Sequence, residues 1–122
     1  MDTFSKDLLE AARGNKPADA LFKNATIFNP FTCDWEQGNL AVKNGLVLGT
    51  GTYTGKTEHD LAGSYVIPGL IDAHVHIESS LLVPREYARL VARHGTTTVI
   101  ADPHEIANVS GCQGIDFMLS QR

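Results

Sequence analysis

Two apolar runs joined by one helical pattern constrain this chain more than any other feature. Residues 70–75, LIDAHV, are mostly apolar without regular polar alternation, as a strand buried on both faces would be. Pro84 then stands where the first residue of a helix belongs. Tyr87, Leu90, Val91 and His94 follow at i, i+3, i+4 and i+7, and Gly95 sits where the helix should stop. Residues 96–102, TTTVIAD, form a second, β-branched run, and GIDFMLSQR at 114–122 opens another helical pattern. The order β-α-β-α makes the two strands parallel, because such a crossover is right-handed in nearly all cases and too long for a hairpin.

Upstream the texture differs. Leu8, Leu9, Ala11 and Ala12 suit a short surface helix, capped by Asp2 or Ser5 and ended by Gly14. From Ala20 the chain reads as β: ALFKNATIF, then NLAVKNGLVLGT, in which Asn44-Gly45 between apolar runs asks for a type I′ hairpin turn. GTGTYTG, residues 49–55, has its glycines spaced G-x-G-x-x-x-G with no helical pattern after it, so it reads as a turn rather than a phosphate loop. A further short strand lies in LAGSYVIPG, and Pro68-Gly69 marks a break. The expected division is residues 1–67, a helix and small β domain, and 68–122, the β-α-β-α part.

Composition narrows the function classes. The 122 residues are 43% hydrophobic and 20% charged, a globular balance, and the net charge of −4 comes without any Lys/Arg block. Nothing here draws the surface to nucleic acid or anionic lipid, so neither partner is expected. No stretch approaches a membrane span of roughly 18 apolar residues, and the N-terminus lacks an apolar signal core. Cys33 and Cys112 are far apart in the sequence and form no C-x-x-C pair, which fits a reducing compartment, the cytoplasm.

The chemistry gathers at the strand ends. Residues two apart on a strand point to the same side, so His74 and His76 project together as a two-pronged metal grip. Imidazole suits Zn, Mn or Fe, and a nearby carboxylate such as Asp72 can orient a ligating ring. The second strand runs into DPHE, so Asp102, His104 and Glu105 should emerge on the same rim, about 5 Å away per strand step. That rim is where α/β barrels carry their active sites. DPHE also reads as a helix start, with Asp102 as cap and Glu105 as its capping-box partner. HEIAN lacks the second histidine of a zincin, and the zinc nucleoside-deaminase spelling is absent. His59, in a polar stretch, and His94, in a helix's last turn, are read as structural.

On these residues the chain resembles a known family. PGLIDAHVHIESS is similar to the amidohydrolase superfamily signature at the end of the first barrel strand, and HGTTTVIADPHEIANVSG looks like the adenine deaminase family within it. The segment from Ala20 to Ile67 is similar to the small β-sandwich domain that flanks the barrel in these enzymes. The resemblance implies an α/β fold: an N-terminal β-sandwich-like segment followed by the first β-α-β-α units of an incomplete TIM barrel.

It also implies hydrolytic deamination of adenine to hypoxanthine and ammonia in purine salvage, at a divalent metal centre that is usually binuclear and loaded with Mn or Fe. His74 and His76 match the pair that holds the more buried metal. Glu78, Ser79, His104 and Glu105 match family-specific positions lining the site, and Asp72 and Asp102 are expected behind the ligands. In such chemistry a bound metal acidifies water for attack on the ring carbon bearing the amino group, and an acid must protonate the departing ammonia.

A barrel needs eight strands, and the chain stops at Arg122 after two of them. Two histidines also fall short of the three protein ligands of catalytic sites. The expectation is therefore an N-terminal piece of an adenine deaminase that does not deaminate adenine alone. Its unpaired strand edges favour a homo-oligomer. Two other readings stay open: a different amidohydrolase acting on a cyclic amide or an N-acetyl amino sugar, and a non-enzymatic assembly module that uses no metal.

Overall fold

The computed structural model describes residues 5–121, which divide into two compact units between Pro68 and Gly69. Helix α1 (Lys6–Ala12) opens the first. Ser5 is its cap, its hydroxyl oxygen accepting the Leu8 N–H at 3.3 Å, and Gly14 at φ +80° leads the chain out. The alternative cap, Asp2, lies outside the described residues. Leu8 and Ala11 are buried, whereas Leu9 between them is exposed and Glu10 half-buried.

Five strands follow: β1 (Ala18–Asn29), β2 (Asp34–Lys43), β3 (Leu46–Thr50), β4 (Gly55–Asp60) and β5 (Tyr65–Val66). β1, β2 and β3 are antiparallel neighbours, whereas β4 and β5 both lie parallel to β1. The β2–β3 turn is Asn44-Gly45, both at positive φ (52° and 74°), as a type I′ hairpin requires. GTGTYTG is the bridge from β3 to β4, with no helix after it.

β1 serves two neighbours end to end. Its register shifts between Phe22 and Ala25, where Asn24 sits at φ 55°; before that point it pairs with β4, after it with β5. The strands form one mixed sheet, not the two packed layers of the expected sandwich. Its core is small: Ala18, Leu21 and Ala41, with Leu48 and Tyr53 against them. Lys43 is buried at 5% exposure, its ammonium 3.0 Å from Asp7 and 3.4 Å from the Pro17 carbonyl, so α1 is tied to β2 by a charge. Apolar side chains left outside this core line a shallow cavity of about 430 Å³, including Phe28, Phe31, Leu40, Val47 and Ile67.

The second unit holds strands β6 (Leu70–Val75) and β7 (Thr96–Ala101), which are parallel neighbours, and helix α2 (Pro84–Ala92) between them in sequence. Pro84 is in the helix's first turn and Gly95, at φ +91°, follows its end. A 3-10 turn, Ile77–Ser80, connects β6 towards α2 and closes on Leu81 in the left-handed conformation.

Helix α3 (His104–Ser120) is broken at Gly111 (φ 59°, ψ −149°). The bend brings the second half back so far that a Cβ on Gly114 would stand 2.8 Å from the Ile106 carbonyl oxygen. The expected burial of β6 on both faces is corrected: Leu70 is 49% and Ile71 65% exposed, and among the described residues β6 pairs with β7 alone. No helix among the described residues is long and apolar enough to cross a membrane.

Candidate functional site

The register of β6 and β7 determines what meets at their C-terminal ends. Val75 pairs with Ala101, and the Asp102 N–H donates to the Val75 carbonyl at 3.0 Å, so the residues just beyond each strand face one another. His74, His76 and Asp102 thereby each offer a ligand atom, all within 4.8 Å of one another. Two ligands about 2.1 Å from a single ion span at most about 4.2 Å, so a slight tightening brings the set to metal-binding distance. Two imidazole nitrogens and a carboxylate suit a divalent ion of the Zn, Mn or Fe type.

The rings are held by hydrogen bonds. His76 Nδ1 lies 2.8 Å from the Asp102 backbone carbonyl; as that oxygen only accepts, Nδ1 carries the proton and Nε2 keeps its lone pair. Such a bond on the far ring nitrogen is the usual arrangement behind a metal-ligating histidine. The rings of His74 and His76 are 4.8 Å apart, and those of His76 and His104 are 4.6 Å apart, both pairs edge to face.

His104 Nδ1 is 2.9 Å from Asp102 Oδ2. That bond holds the Asp102 carboxyl below its ordinary range and raises the His104 imidazole above its own. Both groups are more than half exposed, which weakens the pair.

Each sequence-predicted residue has a definite place. Asp72 does not reach an imidazole; its carboxylate accepts the His74 backbone N–H at 3.2 Å and so shapes the strand end. Asp102, expected behind the two histidines, offers a carboxylate oxygen beside their ring nitrogens and does not cap α3, whose N-cap position is Pro103. The capping-box reading of DPHE is thereby corrected: Asp102 bonds the His104 ring instead.

Glu78 accepts the N–H groups of Glu105 and Ile106 at 3.2 and 3.4 Å, and the Ser79 hydroxyl meets both carboxylate oxygens of Glu105 at 2.7 and 2.9 Å. Neither His59 nor His94 is among the clustered donors; His59 stacks on Phe22 with ring centroids 5.4 Å apart.

Comparison with known proteins adds the lineage. The profile of the amidohydrolase family matches residues 65–121. An adenine deaminase of Methanoregula boonei is 64% identical over 95% of this chain, and adenine deaminase 2 of Carboxydothermus hydrogenoformans is 57% identical over 93%. These alignments take in 21% and 20% of the relatives, so the chain spans about a fifth of the length of the curated relatives it matches.

Among solved structures, N-acyl-D-glutamate deacylase from Bordetella bronchiseptica, complexed with zinc and a phosphonate inhibitor, superposes with a TM-score of 0.59 at 22% identity. It covers 70% of this chain and 19% of that one. L-hydantoinase from Arthrobacter aurescens gives 0.57 at 23% identity over 70% of this chain and 21% of its own. At such identities the likeness is one of fold. The near-complete alignment with adenine deaminases is the closer similarity: 95% of the chain is homologous to about one fifth of an adenine deaminase, and residues 65–121 resemble the amidohydrolase family.

Proposed function

We propose that this chain supplies the first metal-binding segment of an adenine deaminase, an enzyme that hydrolyses adenine to hypoxanthine and ammonia in purine salvage. The observation that carries the reading is the meeting of His74, His76 and Asp102 within 4.8 Å, inside the stretch aligned with adenine deaminases. Residues 1–67 are the small β domain in this reading, and 68–122 are the first strands and helices of a (β/α) barrel. The metal is Mn or Fe, and what it supplies when bound is acidification of water for attack on the purine ring. His74 and His76 hold it, and Asp102 either joins them or steers His76 through its backbone carbonyl. His104 is then a group beside these ligands that is able to hold a proton, kept in place by Asp102.

A binuclear centre needs more than the three donors that these two strands offer, so in this reading the chain does not deaminate adenine alone and acts with further strands, in a homo-oligomer or with the remainder of the fold. Cytoplasmic placement agrees with two exposed cysteines that form no disulfide. The test is complementation. A homologous adenine deaminase lacking the aligned segment is mixed with this chain and Mn²⁺, and hypoxanthine is followed by chromatography. Turnover is expected from the mixture and from neither part alone. Equal turnover with a chain carrying His74→Ala and His76→Ala would overturn the proposal.

A further inference from the structure

Helix α3 begins without a cap of its own. Pro103, at the N-cap position, has no side-chain oxygen, and the Asp102 carboxylate is turned to His104. The first N–H groups of a helix have no partner within it and need one from elsewhere. Here the partner comes from another element, 27 residues earlier for Glu105 and 28 earlier for Ile106. Glu78, in the 3-10 turn after β6, takes both N–H groups on one carboxyl oxygen, Oε1. Its other oxygen, Oε2, is buried with no partner among the described residues. Ser79, next in the turn, holds the Glu105 side chain from the same side.

We infer that Glu78 is a positioning residue: it caps α3 from across the rim and so locks the turn behind His76 to the helix start that bears His104. A cap within α3 would stabilise the helix wherever it lay, whereas this one stabilises it only in register with the end of β6. The distance between the His76 and His104 rings, 4.6 Å, then depends on a group that touches neither ring. The cap stands on geometry alone; its consequence for a metal held by His74 and His76 rests on the function proposed above.

Substitution separates this role from a charge role. Gln keeps an oxygen acceptor at the same reach, Asp is one methylene too short, and Ala removes the group. On the full chain, amide hydrogen exchange is read by NMR, together with the ring-to-ring nuclear Overhauser contact of His76 and His104 and a Co²⁺ titration. Glu78→Ala is expected to speed exchange at Glu105 and Ile106 by about tenfold while α2 is unchanged, the scale of losing one cap. It is also expected to lose the ring contact and weaken Co²⁺ binding, and Glu78→Gln to restore all three.

If Glu78→Ala does not fold, Glu78→Asp against Glu78→Gln gives the same contrast. Unchanged exchange on removal overturns the inference, as does a loss in Glu78→Gln equal to that in Glu78→Ala. Faster exchange with the ring contact intact would overturn the positioning role. A wild-type chain that binds no Co²⁺, yet shows this pattern of exchange and ring contact, would count against the metal reading and uphold the cap.

Discussion

Val75 lies opposite Ala101 across the parallel pair β6 and β7, and the next residue on one side, His76, meets the next on the other, Asp102. The ring of His76 is thus oriented by backbone from the neighbouring strand. This bond does not depend on the identity of the side chain at 102, whereas the carboxylate at 102 is a separate donor. The two contributions are therefore separable by mutation.

Asp102→Asn should leave the His76 Nδ1 bond intact while removing an anionic donor, lowering affinity for Zn²⁺ or Mn²⁺ by roughly 10–100-fold. His76→Ala removes an imidazole donor outright and should lower it further. Isothermal titration of both variants against the parent chain checks the order, and an Asp102→Asn chain binding as tightly as the parent would remove Asp102 from the site.

Asp7 bridges two lysines, Lys16 at 2.8 Å and Lys43 at 3.0 Å. The hydrogen bonds from Lys16, then Lys43, lower its pKa from 3.8 to about 2. A depressed carboxyl contributes stability above its unfolded value and loses it as pH falls through the folded one. The first unit should therefore weaken between about pH 4 and pH 2, and Asp7→Asn should flatten that part of the profile. Urea midpoints across the range provide the check. An acid limb as steep in the variant as in the parent would place the loss elsewhere.

Gly114 packs on Ile106 across the break in α3, and a Cβ there would meet the Ile106 carbonyl oxygen at 2.8 Å and Cγ1 at 2.9 Å. Backbone cannot give way as a flexible side chain does. Gly114→Val should destabilise the second unit by about 1–3 kcal/mol, measured as a lower denaturant midpoint. A substitution without effect would mean that the two halves do not pack in this way.

Gly69 precedes β6 where any side chain would overlap that of Thr97 on β7. Gly69→Ala should therefore cost about 1–3 kcal/mol. Much of this should return in the double variant with Thr97→Ala, because the overlapping atoms include Thr97 Oγ1 and Cγ2. A double-mutant cycle with no coupling between the positions would contradict the close approach.

What the chain order alone determined is local. The Asn44-Gly45 turn, the strand and helix runs from Leu70 onwards, and the paired projection of His74 and His76 all follow from preferences spanning a few residues, which periodicity and turn chemistry express directly. The tertiary structure decided what depends on register between distant segments. Asp102 joined the donors because Val75 pairs with Ala101, and Asp72 turned to the backbone. Glu78 became the cap of a helix starting 26 residues later, because the rim brought its carboxyl to amides that Pro103 could not serve.

The same distinction explains the misreadings. DPHE has the spelling of a capping box, yet the His104 ring competed for the Asp102 carboxylate and won it. LIDAHV has the composition of a doubly buried strand, but burial belongs to the layers around a strand, and among the described residues β6 has only β7 beside it in the sheet.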